Sequence, residues 1–229
     1  DEINEAMGEG ELKVSEISGK ALGEALYQKM FGSGGMAKIR NKTNRFKCAN
    51  NLGQITKAMI YFAGDHGAYP WHLLPEEKKQ IFGKGNPEHL GTIFALEDIR
   101  ASFGSPKTLH SPCDPDRKAI ADYKGYSARE NKPIPHAAIS YGLCPGSDDR
   151  LPETILSLTR NVSGADLKGA TFLGNVMKGL EASQGNFALS DGSVIQTNNA
   201  QLKEASLRHA KSRGGIAPEP ISTKIWLPK

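Results

Sequence analysis

Five apolar residues, Cys48, Leu52, Ile55, Met59 and Phe62, recur at spacings of four, three, four and three. At 3.6 residues per turn this is one stripe along an α-helix, and it predicts a helix over roughly Thr43–Ala63. Asn50, Gln54 and Lys57 fall on the other side. A helix with a single apolar stripe needs a second layer to cover it. The rest of the chain offers strands. Asn186–Gln196 holds two short apolar-alternating runs around Asp191-Gly192, and Asp-Gly is the strongest short-range hairpin signal because both residues tolerate positive φ. A helix is expected from Asn199 to about Lys211, capped by Asn198 or Asn199 and stopped at Gly214-Gly215. Ala137–Leu143 reads as a short strand, and residues 75–104 as helices joined by loops. Residues 151–182 fit helix and strand equally. The fold class is therefore α+β: a long N-terminal helix on an antiparallel sheet, with extra helices and long loops.

Charge divides the chain. Residues 1–32 carry seven acids and three lysines, whereas Lys38–Lys57 carries six bases and no acid, with Gly32-Ser33-Gly34-Gly35 between them. We expect residues 1–37 to be an acidic appendage with one helix near Ser15–Phe31. The main domain is expected at 38–215, and 216–229, with Trp226, as an extended tail. Thirty-eight of 229 residues are Gly or Pro, above the usual ~12%, which predicts many turns. The longest apolar run, Ala58–Ala63, is far short of the roughly 20 residues a bilayer-spanning helix needs. Residue 1 is Asp, so we expect a segment to have been removed upstream of it. A net charge of +4 is too small for a phosphate-neutralising stripe, and no nucleic-acid partner is expected.

Three cysteines, Cys48, Cys113 and Cys144, lie far apart with no C-x-x-C, which argues against structural zinc. In an oxidising compartment one disulfide and one free thiol would result, and the count alone leaves the pairing open. Cys113 follows His110 by three residues and precedes His136, a pairing that a thiol nucleophile would need, but no hydrolase signature surrounds it. Asp114 and Asp116, in a loop fixed by Pro112 and Pro115, are the best candidate calcium ligands; Asp148-Asp149 is the weaker set. Asn41-Lys42-Thr43 and Asn161-Val162-Ser163 match the glycosylation pattern. Tyr69, Trp71 and Trp226 are candidate contacts for a sugar or protein ligand.

The string Cys48-Ala49-Asn50-Asn51-Leu52-Gly53-Gln54-Ile55 resembles the Cys-x-Asn-Asn-Leu-x-Gln-Ile segment of bacterial type II secretion pseudopilin-like proteins, the prepilin-type cleavage/methylation family. Similar to that family in order and spacing are Asp65–Pro70, the Cys-Pro loop Ser111–Asp116, Ser140-Tyr141-Gly142 and the Asp-Gly-Ser-Val hairpin ending at Val194. Glu181 stands where the family carries a histidine ten residues before the hairpin Asp. The resemblance implies a pilin-like fold and a non-enzymatic assembly subunit with no cofactor. It places the chain in the bacterial cell envelope, at the periplasmic face of the inner membrane, held by a helix upstream of these residues. Its partners would be other pilin-like subunits and secretion-system proteins. It implies assembly or motif roles for Cys48, Asn50, Asn51, Leu52, Gln54 and Ile55, a register role for Asp191-Gly192, and a meeting of Cys48 with Cys113. The alternative is an exported or anchored binding module that uses the same fold for a polysaccharide or protein ligand.

Overall fold

The structure, a computed structural model, describes residues 35–212 and 221–228. The chain divides into two compact units, 1–43 and 44–229. The helix expected near Ser15–Phe31 and the stop at Gly214-Gly215 lie outside the described residues.

Helix α1 spans Gly35–His66, longer than the apolar stripe predicts at both ends. In the first unit its residues are exposed, including Lys38, Arg40 and Lys42 together with Met36 and Ile39. In the second unit the stripe is buried as expected, with Cys48, Leu52, Ile55 and Met59 fully buried. Three short helices follow: α2 (Pro75–Phe82), α3 (Leu90–Phe94) and α4 (Glu97–Phe103). Then come four strands, β1 (Tyr141–Leu143), β2 (Ile155–Thr159), β3 (Gln184–Leu189) and β4 (Val194–Asn198), and helix α5 (Asn199–Lys211). The sheet is antiparallel throughout, in the order β1-β2-β3-β4.

The sheet separates two cores. On one side Leu156 and Ala188 join the α1 stripe, the aromatic residues Tyr69 and Phe82, and the short helices. On the other, Ile155, Leu158 and Phe187 pack with Leu202 and Ala205 of α5. A register shift in β2 between Ile155 and Ser157 lets Leu156 and Ser157 both serve the α1 side, where the Ser157 hydroxyl meets that of Thr56 at 2.9 Å. One α-helix on each face of one sheet answers the demand that a striped helix makes for cover.

The hairpin forms where Asp-Gly predicts it. Gly192 has φ 88°, and the Asp191 carboxylate accepts the Ser193 N–H at 2.8 Å. Helix α5 keeps its expected bounds, with the Asn198 side chain accepting the N–H groups of Ala200 and Gln201. The expected strand Ala137–Leu143 is half that: His136–Ala138 is a 3₁₀ turn, and only Tyr141–Leu143 pairs with β2. Residues 151–182 resolve into β2 and loops.

The tail, expected to run extended over the surface, is tied to the sheet edge. Trp226 and Leu143 exchange both backbone hydrogen bonds, at 2.8 and 3.1 Å, and Ile225 enters the α5-side core. His209 of α5 fastens it further. Its Nδ1 accepts the Ile155 N–H at 3.1 Å, which leaves Nε2–H to donate to the Ser222 carbonyl at 2.9 Å. Burial lowers the pKa of His209 below its ordinary 6.5, as it does for His72. An imidazole that stays neutral in the fold but protonates when unfolded stabilises above pH 6.5, and that contribution is lost as pH falls below it. Urea unfolding from about pH 7 to 5 should therefore show falling stability, and His209→Gln should flatten that fall, leaving the part due to His72. An identical pH slope in the variant would refute the assignment.

Candidate functional site: a buried thiol junction

Motif residues from four separated segments converge on the sulfur of Cys48. Helix α1 supplies Cys48 itself, one turn before Leu52. Strand β1 supplies Tyr141, whose hydroxyl donates to the Cys48 carbonyl at 3.2 Å and lies 3.6 Å from Sγ. Strand β3 supplies Asn186, whose Nδ2 donates to Sγ at 3.3 Å. The loop after the 3₁₀ turn Pro106–Leu109 supplies Ser111 and Cys113, whose side chains help to lower the pKa of Cys48. All five side chains are fully buried.

The loop is held in place at each residue. The Ser111 hydroxyl accepts the Cys113 N–H at 3.1 Å and the Ser111 carbonyl accepts the Asp114 N–H, a turn that aims Cys113 at α1. Asp114 is fully buried and takes a two-pronged pair of 2.6 Å bonds from Arg160, the residue after β2. Arg160 also donates to the Val176 carbonyl, and the Gly179 N–H donates to the carbonyl of Cys113. A Cβ on Gly179 would stand 2.6 Å from Cys113 Cα, so only glycine admits that approach.

The polar neighbours of this sulfur favour its ionised form. The Cys113 thiol is the largest contributor, burial opposes it, and Ser111, Tyr141 and Asn186 add to it, bringing Cys48 from 9.0 down to about 7. Cys113, sharing its proton with that sulfur and buried beside it, is pushed far up, and Tyr141 is raised chiefly by burial. Chemically the junction places two thiols, Cys48 and Cys113, in one buried core. All three cysteines are free thiols here. Cys144 lies in the other core, raised by burial alone. The Cys113 thiol engages Cys48 and Ser111, which does not make the base-activated pair a nucleophile needs.

Other expected residues fall differently. Leu52 and Ile55 are core. The polar face expected to be free for assembly is partly spent: Asn51 Nδ2 donates to the His110 carbonyl at 2.9 Å, and Gln54 Oε1 accepts the Thr108 hydroxyl at 3.0 Å. Both side chains tie α1 to the loop that carries Cys113, and Asn50 stays exposed. The two candidate calcium ligands sit in ion pairs: the buried Asp114 with Arg160, and the exposed Asp116 with Lys178 at 2.8 Å. Asp148, of the weaker set, accepts from Arg150 at 3.2 Å. Among the described residues no group of three His, Cys, Asp or Glu is arranged to hold a metal ion. Asn161, of the second triplet matching the glycosylation pattern, is buried and donates to the carbonyls of Leu173 and Gln184.

Two surface features complete the picture. A cleft of about 410 Å³ at the C-terminal end of α1 is lined by Asp65, Glu77 and Glu97, by Arg100 and Arg129, and by the His66–Asp98 pair at 2.9 Å. A groove of about 240 Å³ is lined by Trp71 and Trp226, with Pro145, Lys78, Lys224 and Glu88 along it. Tyr69, expected beside them as a ligand contact, is fully buried under Trp71 at a ring distance of 5.2 Å. Comparison with protein-family models, with curated proteins and with solved structures returns no significant match for this chain.

Proposed function

We propose that this chain is the globular domain of a pseudopilin-like, non-enzymatic subunit of a bacterial type II secretion or type IV pilus-like system, acting by assembly and protein–protein contact. The observation that carries the reading is the convergence on Cys48. Residues of four of the five strings that resemble the family, far apart in sequence, gather at one buried junction; Asp65–Pro70 lies apart from it. A pilin-like arrangement, one long helix laid on an antiparallel sheet, agrees with the α+β architecture. No helix among the described residues is long and apolar enough to cross a membrane, so anchoring in this reading falls to a segment outside them. The subunit needs no cofactor and works at the periplasmic face of the inner membrane.

The test is site-specific photocrosslinking from Asn50, an exposed residue of α1, in the full-length protein expressed in a bacterium that encodes it. Crosslinks to copies of itself or to other pilin-like subunits in the membrane fraction are the expected result. Crosslinks confined to cytosolic proteins would overturn the reading.

One observation favours a second reading, an exported or anchored binding module on the same fold. Trp71 and Trp226, 155 positions apart in the chain, meet edge to face at 6.0 Å beside a groove. In that case the fold is a scaffold and the groove is the working part.

A further inference from the structure

We propose that the groove beside the Trp71–Trp226 pair binds one acidic sugar unit, a uronate, of an anionic polysaccharide. This rests on the binding-module reading and gives it a ligand class.

The groove is built by the tail. Backbone pairing of Trp226 with Leu143 and of Lys224 with Asp166 holds residues 224–226 extended. Alternation along that segment sends Ile225 into the core and leaves Lys224 and Trp226 on the groove side. Gly146 makes the close approach possible, because a Cβ there would stand 1.7 Å from the Ser222 carbonyl. Trp71, packed edge to face on Trp226, is fixed as well: its indole N–H donates to the Ser147 carbonyl at 3.2 Å, and only 8% of the residue is exposed. A preformed wall lowers the ordering cost of binding.

The chemistry of the lining selects the ligand. An indole face carries negative quadrupole charge and attracts the polarised C–H face of a pyranose, and Trp226 is the more open of the two rings. Lys78 and Lys224 bring two ammonium groups against the one carboxylate of Glu88, which favours an anionic partner. At about 240 Å³ the groove is below the ~300–1,000 Å³ of pockets for drug-sized molecules, which suits a single sugar ring. A proline-rich peptide advances about 3.1 Å per residue and needs a longer row of aromatic clefts than one Trp pair supplies.

The chain's only two tryptophans both line this groove, so intrinsic fluorescence reports it alone. The full chain would be titrated with polygalacturonate, with its fully methyl-esterified form, with dextran and with a proline-rich peptide. Polygalacturonate should shift the emission and bind at least tenfold more tightly than the neutral ester, and more weakly as salt rises. Lys224→Glu, an exposed change that leaves the backbone pairing intact, should cost about tenfold or more, and Trp226→Ala should abolish the response with the circular dichroism unchanged. If Trp226→Ala loses the fold, Lys224→Glu and Lys78→Glu decide. Equal affinity for the neutral ester or dextran would overturn the acidic class while sparing a binding module. Binding of the peptide instead would overturn the sugar, and silence of all four probes would overturn both readings.

Discussion

Arg160→Ala should destabilise the protein by roughly 3–5 kcal/mol, because it leaves the Asp114 carboxylate buried without a partner. Asp114 is completely excluded from solvent and Arg160 nearly so, and the guanidinium makes both 2.6 Å bonds to that carboxylate. A pair this buried contributes little over an apolar replacement, but removing one partner exposes the survivor's full desolvation penalty. The effect should also spread. Arg160 links the end of β2 to the loop 111–116 and, through the Val176 carbonyl, to the segment that includes Gly179. Arg160→Lys keeps the charge but loses the planar fork, so it should fall between wild type and alanine. Chemical denaturation with a double-mutant cycle on Asp114 and Arg160 checks this. The double replacement should cost less than the two singles added together. A cost below about 1 kcal/mol for Arg160→Ala would class the pair with exposed bridges such as Lys178–Asp116 and refute its structural role.

Nothing in the sequence announces Arg160, and the reason is physical. A loop arginine is ordinarily a solvated charge; only the chain's return past residue 114 buries it. What was legible is local. The α1 stripe, the Asp-Gly hairpin and the Asn198-capped helix each depend on residues within one or two turns of one another, and all three form where periodicity and turn chemistry place them. The missed extension of α1 to Gly35 carries bases and exposed apolar residues, so no buried stripe marks it. The ion pair of Asp114 was hidden for the same reason as Arg160: two acids in a rigid loop carry no sign of a partner 46 positions away. Of the junction, Cys48 and Cys113 were visible through the resemblance, Tyr141 stood within a matched string, and Asn186 lay at the start of the hairpin with no sign that its amide would point at a sulfur. Trp71 and Trp226 were visible as residues, and their meeting depends on a tail pairing that no local pattern encodes.

Oxidation should join Cys48 to Cys113 and raise stability by roughly 4 kcal/mol, the chain-entropy expectation for closing a loop of about 65 residues. Both thiols are fully buried in the same core, on the α1 side of the sheet. The step balances by exchange: the Cys48 thiolate attacks oxidised glutathione and expels one glutathione thiolate, and Cys113 then displaces the second glutathione to form the protein disulfide. In the opened chain the attacking group is an ordinary thiol, so exchange should speed up as pH rises toward the usual thiol range and slow as it falls. Both sulfurs are buried, so the reaction runs during refolding or local opening rather than on the closed protein. Refolding in a glutathione redox buffer, peptide mapping without reduction, and urea unfolding of the oxidised and reduced forms measure each part. The mapping should recover one linked peptide pair containing Cys48 and Cys113, with Cys144 alkylated only after unfolding. Cys113→Ala should abolish both the link and the gain in stability. A bond from Cys144 to either partner would contradict the placement of Cys144 in the opposite core, where the sheet stands between it and the junction. The same cross-link bears on function, since a covalent tie from α1 to the loop 111–116 would persist in an oxidising envelope while a reduced compartment would leave the Asp114–Arg160 pair to hold that loop.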